Sequence, residues 1–159
     1  MITTSKAIVC VIGGHKCTKK VEDLAIELGK SIGKMGFILL CGGLGGVMES
    51  VSKGVKLSGG LTVGIIPGID KHQANAYIDV PIATGMGYAR NTIIATAGDV
   101  VIALPGETGT LSEIAFALNL KKPVIDLGDW GISGMIKAGS VSEAMEIVGR
   151  LTNKNNPGV

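Results

Sequence analysis

The sequence predicts an α/β fold: a doubly wound, mostly parallel sheet of six or seven strands with helices on both faces. Three observations carry that prediction. Short apolar runs recur along the 159 residues, most of them are continuous rather than alternating, and amphipathic helical patterns lie between them. A continuous Val/Ile/Leu run is buried on both sides, which marks a parallel strand covered by helices. Regular alternation of such strands with helices is the Rossmann-like arrangement. The length fits one domain over residues 1–159, with no internal repeat or linker.

The first run is Ala7–Ile12, followed by a helical face of Val21, Leu24, Ala25, Leu28, Ile32 and Met35. The second run, Phe37–Cys41, precedes a weaker face of Val47, Met48, Val51 and Val55, interrupted by Gly54. Leu61–Ile66 is the third run. Ile78–Ile82 alternates and contains Pro81, which assigns it to a sheet edge or a less regular segment. Ala89, Ile93, Ile94 and Ala97 mark a third helix, and Val100–Leu104 a further buried strand. Leu111, Ile114, Ala115 and Leu118 mark a fourth helix, before the last run, Val124–Leu127. Gly128–Gly139, which holds Trp130, reads as loop or short helix. Val141, Ala144, Met145 and Val148 make a fifth helix, opened by Ser140 with Glu143 three positions later, a capping box. Residues 153–159 are expected to fray.

Composition removes several classes of function. Aromatic residues are 3%, too few for a base-stacking platform, and a net charge of +2 gives no drive toward nucleic acid. With 46% hydrophobic and 18% charged residues the chain is not disordered, and its 25 glycines follow no collagen period. No apolar run approaches the ~18 residues of a membrane helix, and no signal-peptide pattern opens the chain. Three cysteines, odd in number and without C-x-x-C spacing, imply a reduced, cytoplasmic protein with Cys10 and Cys41 buried. No H-E-x-x-H or Cys/His cluster points to a metal.

Ligands of open α/β sheets sit beyond the carboxyl ends of the strands. Five of the predicted strands end in glycine-bearing turns: Gly13-Gly14, Gly42-Gly43-Leu44-Gly45-Gly46, Pro67-Gly68, Gly85-Met86-Gly87 and Pro105–Gly109. Eleven of the 25 glycines lie there; the others are scattered without pattern. Tight turns need glycine for their own geometry. Five such turns on one sheet edge, each leading toward a helix N-terminus, also make an anion- or phosphate-binding edge. A dinucleotide site is disfavoured, because the first turn lacks G-x-G-x-x-G and no acidic residue ends the second strand. The G-x-x-x-x-G-K-[ST] loop of nucleoside triphosphatases is absent as well.

Two segments carry the specific candidates. In Leu104–Glu113, Thr110-x-x-Glu113 reads either as a capping box opening a helix or as part of a phosphate cradle. In the second reading Gly106, Glu107, Thr108, Gly109 and Thr110 surround the phosphate and Glu113 faces the sugar. Glu107 repels a phosphate there unless it turns away or meets a cation. Arg90 follows Gly85-Met86-Gly87 early in a helix, where the dipole disfavours a cation, and this points to an anionic ligand. Asn91, Gly13, Gly14, Gly42, Gly43 and Gly45 complete the candidate phosphate contacts.

Gly42-Gly-Leu-Gly-Gly-Val-Met48 resembles the GGGxxGLM motif of the LOG, or "lysine decarboxylase-like", family, and Pro105-Gly-Glu-Thr-Gly-Thr-Leu-Ser-Glu113 resembles its PGGxGTxxE motif. The resemblance runs from Lys6 to about Leu127. It implies a Rossmann-like fold, a homo-oligomer, and hydrolysis of the N-glycosidic bond of a nucleoside 5′-monophosphate. Arg90 and Glu113 then stand as the catalytic pair, with Glu113 at the ribose stabilising developing positive charge, and Gly106–Thr110 at the 5′-phosphate. The chain departs from the hydrolases at three points: Gly87-Tyr88-Ala89-Arg90-Asn91 replaces their M-H-x-R-K, Glu107 replaces the second glycine, and Ser112-Glu113 replaces a Glu-Glu pair. A short branch with the A-R-N and G-T-L-S-E pattern is similar to molybdenum cofactor carriers, which bind a phosphorylated pterin without transforming it. The expected function is therefore binding of a nucleotide-type phosphate with phosphoribohydrolase activity, or, alternatively, non-catalytic carriage of molybdenum cofactor or a related phosphorylated ligand.

Overall fold

In the computed structural model, residues 6–154 are described. Seven strands run in the order β1 (Ile8–Ile12), β2 (Ile38–Cys41), β3 (Leu61–Ile66), β4 (Val80–Ala83), β5 (Val100–Ala103), β6 (Val124–Asp126) and β7 (Ile136–Lys137). The helices are α1 (Lys19–Lys34), α2 (Val47–Leu57), α3 (Asn91–Ala97), α4 (Thr108–Asn119) and α5 (Val141–Lys154). The strands form one sheet in the spatial order β4-β3-β2-β1-β5-β6-β7, and every neighbouring pair is parallel. Strand order reverses at β1, which pairs with β2 on one side and β5 on the other. The crevice of such a fold opens there, beyond the carboxyl ends of β1 and β5.

Central strands are buried on both faces, as their unbroken apolar runs require. Val9 and Val11 face one core with Leu28, Ile32 and Val51, beneath α1, α2 and α5. Cys10 and Ile12 face the other with Ile94 and Ile114, beneath α3 and α4. Each such large aliphatic side chain contributes about 1.5–3 kcal/mol on burial. Thr18 caps α1, its hydroxyl accepting from the Val21 N–H at 3.3 Å. Two glycines without sequence pattern prove decisive for helix contact. A Cβ on Gly29 would stand 3.0 Å from the Cα of Gly54, so α1 and α2 touch backbone to backbone.

The edge assignment of the Pro81 segment holds, with the strand beginning at Val80, after Asp79 folds back to accept from the Thr62 N–H at 3.0 Å. Gly128–Gly139 is where the expectation needs correction. It is loop, as one alternative had it, but it contains the two-residue strand β7 and no helix, and Asp126 organises its first residues. The Asp126 carboxylate is buried and accepts from the N–H groups of Gly128 (3.1 Å), Trp130 (3.0 Å) and Gly131 (2.9 Å). The Ser140 cap is present: its hydroxyl accepts from the Glu143 N–H at 3.2 Å, while the Glu143 carboxylate takes the Gly139 N–H at 2.7 Å. Asn153 and Lys154 belong to α5, and the remainder of the terminus expected to fray lies outside the described residues.

Candidate functional site

Three glycine turns meet over the switch point. The Gly14 N–H donates to the Pro105 carbonyl at 2.9 Å, and the Gly14 carbonyl accepts from the Val47 N–H at 3.0 Å, lacing the ends of β1, β2 and β5 together. Close approach explains the small residues: a Cβ on Gly13 would stand 2.6 Å from Val47 Cγ1, and one on Gly106 would stand 2.9 Å from the Gly14 nitrogen. Gly43 (φ 74°) and Gly46 (φ 65°) hold left-handed backbone that other residues adopt at a cost. Gly45 lies on the open side of its turn, near the exposed His15. Asn75, which no motif singles out, clamps this turn. Its side-chain amide donates to the carbonyls of Gly43 (3.2 Å) and Leu44 (2.8 Å), and its backbone N–H donates to Gly43 (2.9 Å). A contact across 31 residues leaves no local signal in sequence.

The first turn of α4 differs from the capping box that the sequence allowed. The helix begins at Thr108, two residues before Thr110, with Glu107 as the N-cap residue and no side chain closing its end. Thr110 is thus inside the helix and buried, its hydroxyl packed on Gly106, and it does not cap Glu113. Leu111 N–H returns to the Glu107 carbonyl at 2.9 Å. The uncapped start of α4 presents N–H groups and partial positive charge toward the crevice edge. Glu107 itself is exposed.

Arg90 and Glu113 come together across α3 and α4. Arg90 closes a 3-10 turn, Gly87–Arg90, immediately before α3, and only 8% of it is exposed; Glu113 is 6% exposed. The Arg90 Nη1 stands 3.5 Å from Glu113 Oε1, a long ion pair, and donates a short 2.6 Å bond to Asn91 Oδ1. Asn91 Nδ2 in turn donates to Ser112 Oγ at 3.1 Å and reaches the Gly109 carbonyl at 3.5 Å. Both ends of the Asn91 amide are therefore engaged by protein. The guanidinium lies against Gly42, where a Cβ would meet Nη2 at 2.8 Å and Nη1 at 3.0 Å. The Arg90 Nε is buried without a partner among the described residues, which costs about 1–3 kcal/mol.

Burial dominates the electrostatics. It raises the Glu113 carboxyl to about 8, with Arg90 pulling the other way, so this group is a neutral acid at pH 7. Burial also lowers the Arg90 guanidinium, partly offset by Glu113, without depriving it of its charge near neutrality. Beneath them the Cys41 thiol, fully buried next to Ser52, is held up by burial and is not a nucleophile. Trp130 Nε1 donates to the Leu104 carbonyl at 3.0 Å and fixes the flank beside β5. A buried cation, an uncapped helix start and a buried carboxylic acid thus lie together beyond the carboxyl ends of β1, β2 and β5. Arg90, Asn91, Thr110 and Glu113 are buried there with Gly14, Gly42 and Gly43, Gly13, Gly45 and Gly109 are half-buried, and Gly106, Glu107 and Thr108 are exposed; the Gly14 N–H is already taken by the Pro105 carbonyl.

Fold and site define a Rossmann-like protein whose glycine turns and buried arginine converge on the switch point of a parallel sheet. The chain belongs to the SLOG cluster4 family, whose description matches residues 6–157. It is similar to the cytokinin riboside 5′-monophosphate phosphoribohydrolase of Mycobacterium tuberculosis, with 32% identity over 143 residues, 78% of this chain and 76% of that one. It is also similar in structure to the molybdenum cofactor binding protein of Rippkaea orientalis, at 38% identity and TM-score 0.90, covering 94% of this chain and 99% of that one. The Moco carrier protein of Chlamydomonas reinhardtii gives 37% identity and TM-score 0.85 over the same shares. No helix among the described residues is long and apolar enough to cross a membrane.

Proposed function

We propose that the protein binds a small phosphorylated ligand at this strand-end crevice and holds it without cleaving it, as a carrier of molybdenum cofactor or a closely related compound. The observation that carries this reading is Glu113. A buried carboxyl raised to about 8 is uncharged at neutral pH and offers little field to a developing oxocarbenium ion. As a neutral acid it is suited to hydrogen bonding a ligand oxygen or ring nitrogen. The ligand phosphate sits at the uncapped start of α4, among Gly106, Thr108, Gly109 and Thr110, and Arg90 supplies the full positive charge. Likeness over 94% of the chain to the molybdenum cofactor binding protein and to the Moco carrier protein supports the same reading.

A second reading, hydrolysis of a nucleoside 5′-monophosphate, is favoured by one feature, the Arg90–Glu113 pair beside that helix start. One experiment separates the two. The purified protein is incubated with molybdenum cofactor and, separately, with AMP, passed through size exclusion, denatured and analysed by mass spectrometry. Intact cofactor in the protein fraction, with no free adenine from AMP, is the expected result. Free adenine establishes the hydrolase, and retention of neither ligand refutes phosphate binding.

The protein acts as a homo-oligomer in this reading. Phe116 on α4 and Leu120 just past its end, one helical turn apart and each about half exposed, form an apolar surface suited to a second copy. Its three cysteines, all free thiols, fit a reducing cytoplasm.

A further inference from the structure

Beyond holding a phosphate, the crevice contains a directed chain of hydrogen bonds. Arg90 Nη1 donates to Asn91 Oδ1 (2.6 Å), Asn91 Nδ2 donates to Ser112 Oγ (3.1 Å), and Ser112 Oγ donates to the Gly109 carbonyl (2.6 Å). Each donor and acceptor in it has one consistent direction, so the asparagine amide has a single orientation. The chain starts at the site's one buried cation and ends in the first turn of α4, where the phosphate is proposed to sit. Bonds aligned in this way polarise and strengthen one another.

The posture of Arg90 shows that this chain is in control. Among the described residues Nε is buried without an acceptor and Nη2 makes no hydrogen bond, while the guanidinium packs against Gly42. The same Nη1 stands 3.5 Å from Glu113 Oε1, farther than the 2.6 Å to Asn91 Oδ1. The short bond that Nη1 donates to Asn91 Oδ1 holds the guanidinium in place. One edge of the guanidinium, Nη1, is engaged by protein, and the edge carrying Nε and Nη2 is left over, which is the two-donor fork that fits an oxyanion or a carbonyl.

We propose that Asn91 is a positioning residue which keeps the Nε–Nη2 edge of Arg90 in reserve for a second acceptor on the ligand and locks that edge in register with the first turn of α4. The site then selects a phosphate ester whose other end offers a carbonyl, ring nitrogen or oxyanion, and discriminates against phosphate alone. This rests on the phosphate-binding reading for its ligand, but the hold of Asn91 on Arg90 is testable without one. When Asn91 is removed, Arg90 is released toward Glu113, the ion pair shortens, and the carboxyl becomes easier to ionise. Besides Arg90, the titratable groups near Glu113 are the buried thiols of Cys41 and Cys10, both held neutral by burial.

The test uses Asn91→Ala, Asn91→Asp and Ser112→Ala in the full chain. The Glu113 carboxyl is followed by carbon NMR against pH, and binding of AMP and of inorganic phosphate by calorimetry. Asn91→Ala is expected to lower the Glu113 midpoint by about one pH unit or more. It is also expected to weaken AMP about tenfold while leaving phosphate nearly unchanged. Asn91→Asp pairs Arg90 permanently and weakens AMP further. Ser112→Ala, which cuts the chain at its far end without emptying the space around Arg90, shows the same changes at smaller size and serves if Asn91→Ala does not fold. An unmoved Glu113 midpoint in a folded variant overturns the proposal, even where AMP binds normally. A moved midpoint with no binding of molybdenum cofactor, AMP or phosphate by the natural chain upholds the positioning role and refutes the ligand reading instead.

Discussion

Glu113→Gln isolates the electrostatic character of the site. Burial raises this carboxyl from 4.5 to about 8 in the folded chain. In the unfolded chain it ionises near 4.5, so between these values the folded state binds more protons and stability falls as pH rises. Each pH unit across the window is worth about 1.4 kcal/mol, for a total loss approaching 5 kcal/mol by pH 9. Relaxation and water entry in the ionised state reduce that figure, and about 2–4 kcal/mol is the expected observation. Glutamine keeps the volume and one acceptor but cannot ionise. At pH 4, below both values, Glu113 is largely protonated folded and unfolded, and the two proteins should unfold within about 1 kcal/mol of each other. At pH 9 the variant should be the more stable by the full difference. Urea unfolding at both pH values measures it. Parallel stability profiles from pH 4 to 9 would refute both the burial argument and the neutral acid on which the carrier reading depends.

Three further outcomes are expected. Gly42→Ala places a methyl 2.8 Å from Arg90 Nη2 and 2.6 Å from Met48 Sδ. It should displace the guanidinium, costing about 1–3 kcal/mol in stability by urea unfolding and weakening ligand binding by calorimetry. Asp126→Ala removes the acceptor of three backbone N–H groups around Trp130 and should destabilise by about 2–4 kcal/mol, with a red shift of Trp130 fluorescence under native conditions. Phe116→Glu with Leu120→Glu should reduce the sedimentation coefficient to that of a single chain, because like charges then face each other across the proposed contact.

Sequence reasoning reached the central strands because burial on both faces writes a continuous apolar run, and Val100–Ala103 and Ile8–Ile12 have no other reading. It reached the glycine turns because close backbone approach excludes side chains, as at Gly13 and Gly106. It failed where structure depends on few residues or distant ones. Strand β7 is two exposed residues in a glycine-rich stretch, held by the preceding Asp126, and carries no periodicity. Thr110-x-x-Glu113 has the letters of a capping box, yet α4 starts at Thr108 and both residues lie inside it. Gly29 and Gly54, 25 positions apart, looked incidental until α1 and α2 were seen to meet there.

The same distinction bears on the site. Arg90 and Glu113 lie 23 residues apart and their pairing was legible through a motif, but the motif says nothing of protonation. That is decided by depth. Glu113 lies on the inner side of α4 with Ile114 and Ala117, where the water that would hydrate a carboxylate is excluded. Arg90 does not restore the charge, because Asn91 draws its nearest nitrogen to 2.6 Å and leaves Glu113 at 3.5 Å. An asparagine following the arginine therefore weakens the ion pair a charge-stabilising hydrolase would use, and frees the cation for an anionic ligand. The Ala89-Arg90-Asn91 departure from the hydrolase motif is thus a physical choice between stabilising a cation and holding an anion, and the proposed carrier function rests on the second.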